Sequence, residues 1–206
     1  MIKKESELLY WFAREAQKRY TFTELQKVSK KKSKSYIAAV LDKSVNGAIL
    51  KQERVGHLPV YSLNLASVKA RVFAGFVLEH YGWNKKHIPY DDLQKIMEKI
   101  PTHDYVFIIT GSYARKKQRK DSDIDIVILI DNSAEPKRVY AELSHYCGLN
   151  IPPIHLYVFR HKEFIEMLSN REENYGKELA KNNLILTGGQ VYIKLIYEAI
   201  QNGYNG

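Results

Sequence analysis

The sequence predicts a mixed α/β (α+β) chain, and three features of it carry that reading. Apolar residues recur at helical spacing through most of the first 45 residues. The period then changes to alternation between Ile49 and Asn64. Beyond residue 100, strand-like runs at 105–109, 123–130, 153–159 and 184–187 are separated by turns and basic or helical stretches. The expected divisions are residues 1–65, a helical connector over 66–100 and an α/β domain over 101–206, with the boundary near Asn64–Ser67.

From Glu5 to Tyr20, the residues Leu8, Leu9, Trp11, Phe12, Ala16 and Tyr20 keep three- and four-residue steps, which predicts an amphipathic first helix. Thr23 reads as the N-cap of a short second helix through Val28, with Leu25 and Val28 inward. The basic run Lys30-Lys31-Lys32 and Lys34 leads into a third helical pattern through Tyr36, Ile37, Val40 and Leu41. After Gly47, two alternating runs flank Gly56, and a turn with glycine between such runs predicts a hairpin. Val68, Val72, Phe73, Phe76, Val77 and Tyr81 give the connector helical spacing, and Tyr90–Ile100 supplies another short helix.

The net charge of +9 sits almost wholly in the first third of the chain: residues 1–70 hold 14 of the 32 Lys+Arg but only 6 of the 23 Asp+Glu. Such a charge excess, localised on one module, points to a polyanionic partner. Three helices, a hairpin and a basic start to the third helix resemble the winged helix-turn-helix family, with ILKQERVGHLPVYSLN as the wing. The resemblance implies DNA contacts from Lys31, Lys32, Lys34, Ser35 and Tyr36 on the third helix and from Arg54 and His57 on the wing. Winged helices also dock proteins, so a protein partner for this head stays open.

The chemistry-bearing motif lies between residues 105 and 125. Tyr105-Val106-Phe107-Ile108-Ile109 reads as a buried strand that ends at Thr110-Gly111-Ser112, followed by a basic, helix-compatible Tyr113–Lys120 and a turn at Asp121-Ser122. In Asp123-Ile124-Asp125-Ile126, strict alternation puts both aspartates on one strand face and the isoleucines on the other. Two carboxylates about 7 Å apart on one face suit a hard divalent cation shared with substrate phosphates. The glycine permits close approach to a ligand, Ser112 offers a hydroxyl and an N–H at a helix start, and Arg115 lies one turn further on.

Gly-Ser, ten intervening residues and Asp-x-Asp resemble the nucleotidyltransferase superfamily of polymerase-beta-like fold, which implies a small mixed sheet flanked by helices. The compact size with a fused winged helix looks most like the minimal nucleotidyltransferases of prokaryotes, some of which act as antitoxins that adenylylate a partner toxin. The resemblance implies nucleotide binding, ATP above all, by Gly111, Ser112 and Arg115, and Mg²⁺ or Mn²⁺ on Asp123 and Asp125. It further implies transfer of a nucleotidyl group (AMP) to a hydroxyl acceptor. Pro153–Phe159 resembles the next strand of the family, which in active members carries a third catalytic carboxylate; the aligned residue here is His155. Three readings of His155 stay open: a substitute base or metal ligand, a mark of lost transfer with nucleotide binding kept, or a structural histidine on a strand aligned one or two residues out. The rival function is accordingly a DNA-binding transcriptional regulator or antitoxin whose transferase domain is catalytically silent. Lys116 is a second departure, standing where the family often has glycine.

Other features read blandly. Asp131 is expected to cap its strand, Glu163 and Glu166 to be solvated, and Leu184–Thr187 to form a strand before a closing helix over Val191–Ile200. Cys147 stands alone, which excludes a disulfide framework within one chain. No run approaches the roughly 18 apolar residues of a membrane span, so a cytoplasmic protein is expected, with a homodimer left open.

Overall fold

The computed structural model describes residues 5–119 and 121–206. The first four residues of the amphipathic start and Lys120, at the end of the basic run, lie outside the described residues. Leu8, Leu9 and Phe12 form the buried stripe of helix α1 (Glu5–Arg14). The helical spacing extends to Tyr20 in the sequence, yet the helix stops at Arg14. Tyr20 instead opens strand β1 (Tyr20–Thr21), fully buried, with its ring edge-on to Phe12 at 5.2 Å and its hydroxyl donating to Glu15.

Thr21, not Thr23, caps helix α2 (Phe22–Ser29). The Glu24 N–H donates to Thr21 Oγ1 at 3.2 Å and the Thr21 N–H donates to Glu24 Oε2 at 2.8 Å, a reciprocal pair that satisfies two helix-terminal donors. The cap shifts because the extended backbone of Thr21 also pairs with a neighbouring strand. Helix α3 (Lys34–Asn46) starts at Ser33, whose hydroxyl accepts from the Tyr36 N–H at 3.3 Å. Strands β2 (Leu50–Val55) and β3 (Leu58–Leu63) follow as an antiparallel hairpin turned at Gly56-His57, with Gly56 at φ 60°. The first sheet has the order β1-β3-β2.

Helix α4 (Val68–Gly82) is capped by Ser67. Helix α5 covers Tyr90–Met97, three residues shorter than the spacing suggests. Then come β4 (Tyr105–Ile109), a single turn α6 (Gly111–Ala114), β5 (Ile124–Ile130), α7 (Pro136–Leu149), β6 (Ile154–Arg160), α8 (His161–Ser169), α9 (Tyr175–Lys181), β7 (Leu184–Thr187) and α10 (Gly189–Gln201). The second sheet is mixed, in the order β6-β5-β4-β7: β4 runs antiparallel to β5 and β7, and β5 runs parallel to β6. This order puts the two strands bearing Asp125 and His155 side by side.

Both faces of the sheet are covered, which is why β5 is apolar on both sides after its first residues. Ile124, Ile126, Ile128 and Ile130 pack with Val139, Leu143 and Leu93 beneath α7 and α5. Val127 and Leu129 pack on the other side with Phe164, Leu179 and Ile193, and that cluster runs without a break through Val77 to Leu8, Phe12 and Tyr20 of the head. The connector is therefore not a free linker: α4 lies against α1 on one side and against α10 and β7 on the other.

That crossing depends on glycines. A Cβ on Gly75 would overlap the Gly189 and Gln190 backbone, and one on Gly189 would overlap the Gly75 backbone. Backbone, unlike a side-chain tip, cannot swing away. Gly75→Ala is expected to cost about 2–3 kcal/mol and to lower the melting temperature in calorimetry by roughly 5–10 °C. An unchanged melting temperature would refute close α4–α10 packing.

Candidate active site

The site is built at one end of the mixed sheet. Strand β4 delivers the chain to Gly111 at φ 64°, in the left-handed region that suits glycine. A side chain there is excluded a second time, because an added Cβ would overlap Asp125 Oδ2. The glycine thus lets a carboxylate lie against the turn. The Thr110 N–H donates to the Asp125 carbonyl at 2.9 Å, fixing the turn to β5.

Asp123 and Asp125 aim the same way. Both converge on one imidazole: His155 Nε2 lies 3.2 Å from Asp123 Oδ2, and His155 Nδ1 lies 3.7 Å from Asp125 Oδ1. The parallel register places His155 directly beside Asp125, so the histidine occupies the position on β6 that faces the aspartate pair. Burial pushes the Asp125 carboxyl above the usual range and the Asp123 charge adds to this, while the His155 and Arg115 charges act against them. A cation brought to the pair would relieve that repulsion.

Ser112 is half-buried and follows Gly111 in α6. Arg115 closes the turn and pairs with Glu178 of α9 at 3.3 Å, both partners remaining about half exposed. Of the helix-compatible stretch Tyr113–Lys120, only Tyr113 and Ala114 are helical among the described residues, as the end of α6. Lys116, at φ 55°, takes a left-handed conformation, and the Lys117 N–H turns back to the Ser112 carbonyl at 2.8 Å. A single turn has little macrodipole, so α6 offers no helix terminus of consequence, and the donors at this corner are backbone N–H groups and the Arg115 guanidinium.

Several neighbours of the site gave no signal in the sequence. Asn182, 71 residues from Gly111, donates from Nδ2 to the Gly111 carbonyl at 3.2 Å, and its own carbonyl accepts from Thr110 Oγ1 at 2.7 Å. His87 Nε2 lies 2.9 Å from the Tyr113 carbonyl, holding the α4–α5 loop against α6. Tyr157, two residues beyond His155 on the same strand face, has its ring centroid 5.1 Å from that of Tyr175. Only strand pairing and helix packing bring these together.

Residues 91–185 match the nucleotidyltransferase domain family. The matched segment contains β4, the Gly111-Ser112 turn, the aspartate pair and His155, and it supports a nucleotidyltransferase domain here. Comparisons with curated proteins and with solved structures gave no match. Among the described residues no helix is long and apolar enough to cross a membrane.

The residues expected to touch DNA are placed as follows. Lys32, Lys34 and Ser35 are exposed at the start of α3, and Arg54 and His57 are exposed on the hairpin. Lys31 pairs with Glu7 of α1, and the Tyr36 hydroxyl is buried without a hydrogen-bond partner, turned inward rather than presented. Asp131 accepts from the Ser133 N–H at 2.8 Å, an end-of-strand turn. Glu163 does more than face solvent: its Oε2 accepts from the Arg160 N–H at 2.7 Å and caps α8. Burial pushes the Cys147 thiol up to about 11, which suits an inert apolar residue.

Proposed function

We propose that the nucleotidyltransferase domain binds a nucleoside triphosphate, ATP in the first instance, together with Mg²⁺ or Mn²⁺. The observation that carries this reading is the convergence of Asp123 and Asp125 on one point beside the left-handed glycine corner. Hard oxygen donors on one face and a turn stripped of side chain fit a small divalent cation that shares its shell with phosphate. The pair fits as a two-carboxylate site whose remaining ligands would come from substrate and water, and His155 adds no oxygen. The cation would supply charge neutralisation at the transferring phosphate.

The chain's own residues do the rest. Asp123 and Asp125 orient the triphosphate through their shared face; Ser112 and Arg115 bind its oxygens; Thr110 and Asn182 hold the Gly111 peptide so that the corner keeps its shape. His155 Nε2, beside Asp123, accepts the proton of an attacking hydroxyl if transfer occurs. A second reading has a specific observation in its favour. An imidazole stands where the family's third carboxylate is expected and occupies the acids itself, which suits a binder with silent chemistry. Labelled ATP and the full chain decide the first point: binding in Mg²⁺ or Mn²⁺ and none in excess chelator supports the site, whereas metal-independent binding removes it.

For the head, three helices and a three-stranded sheet with exposed Lys32 and Lys34 support a winged helix-turn-helix that binds duplex DNA, with residues 1–65 as its extent. Affinity is expected to fall steeply with salt, the slope of log K against log salt being about −0.9 per phosphate contacted. A salt-insensitive response, or capture of a protein such as a toxin with no DNA affinity, would assign the head to protein docking.

A further inference from the structure

Positive charge is not confined to the head once the chain has folded. The α4–α5 loop carries Lys85 and Lys86, and His87 holds that loop on the Tyr113 carbonyl, beside Lys116 and Lys117. Among the described residues none of these four lysines forms an ion pair, whereas Lys95, Arg138 and Lys181 elsewhere in the chain each pair with an acid. Lys85 is half-buried with its ammonium over the Tyr81 ring at 5.4 Å. Burial lowers its pKa, and the Arg14 and Lys116 charges lower it further, so like charges are gathered here without compensation.

Helix α1 links this surface to the start of α3: the Tyr81 ring stacks on Tyr10 at 4.0 Å, and Glu7, one turn back along α1, pairs with Lys31 just ahead of α3. Trp83, 38 % exposed, is pinned by its Nε1 donating to the Leu186 carbonyl at 2.6 Å, and so adds a rigid aromatic edge to the same region.

We propose that a duplex bound at the start of α3 continues over this second surface, so that Lys85, Lys86, Lys116 and Lys117 bind its phosphates and the nucleotidyltransferase domain shares the DNA footprint. The inference rests on the DNA-binding reading of the head. Phosphate contacts carry no sequence information, so the second surface adds affinity and fixes orientation without altering the site chosen.

The test uses the full chain, a fluorescein-labelled 30-base-pair duplex of mixed sequence and a salt series followed by anisotropy. Lys85→Gln with Lys86→Gln and Lys116→Gln is expected to weaken binding about tenfold or more and to make the salt slope shallower by roughly 2–3. Lys137→Gln with Lys162→Gln and Lys194→Gln removes equal charge from the opposite end of the mixed sheet and is expected to leave the slope nearly unchanged. The surface is refuted if the two triple variants behave alike while both melt near the parent. Lys32→Glu with Lys34→Glu tests the premise separately. If that variant binds as the parent does, the reading of the head fails and the continuation fails with it; if it loses binding while the first triple variant matches the control, only the continuation is overturned.

Discussion

Replacing Asp123 and Asp125 together by alanine is expected to abolish metal-dependent ATP binding and to reduce any transfer on the order of 100- to 1,000-fold, with no loss of stability. The two halves of that expectation have one cause. Asp125 is partly buried, with its carboxyl held above the usual range by burial and by its neighbour's charge, so its ionised form costs the fold something in the absence of a cation. Removing both charges lifts that cost and removes the site. Titration calorimetry with Mg²⁺-ATP and a thermal melt of the same sample check it. A variant that binds as the parent does refutes the site, and one that melts far lower would assign the acids a structural role.

His155→Asp is expected to raise nucleotidyl transfer on the order of 100-fold if the parent is a binder that lacks its base. His155 is the residue paired with Asp125 across β5 and β6, and its ring already reaches both acids, so an aspartate placed there would face the same cation. The metal-free variant should melt lower than the parent, because three carboxylates then share one corner, and Mg²⁺ or Mn²⁺ should restore it. Transfer of label from ATP to a hydroxyl acceptor, with melts at several metal concentrations, reads both effects. An active parent with no gain would show that the imidazole serves as base. A variant that melts lower and is not rescued by metal would refute a cation site between these strands.

The elements legible in advance were those whose signal is local. Val106 to Ile109 and Ile126 to Ile130 are apolar beyond any surface use, so they had to be strands covered on both faces. The spacing of Gly111-Ser112 and Asp123-Ile124-Asp125 belongs to the chain itself, and the alternation after Asp123 placed both acids on one face before any coordinates. Where local signals competed, long-range pairing won. Tyr20 continues the helical period of α1, but strand pairing with Tyr61 and burial against Phe12 draw it into β1, and the cap moves to Thr21 with it. The basic stretch after Ala114 is compatible with helix, yet the chain leaves it at Lys116.

The sequence by itself determined the short-range pattern at the candidate site: two acids in alternation, a glycine-serine corner ahead of them and a histidine two strand positions past Pro153. Their types and short-range spacing suffice for that, because strand geometry dictates which side chains share a face. Only the tertiary structure decided that His155 lies against both acids, that Asn182 and His87 brace the corner, that Arg115 is engaged with Glu178, and that α4 ties the head to α10. Each of those is a contact between segments far apart in the chain. Such contacts are set by which faces can be buried together, and no local pattern encodes that.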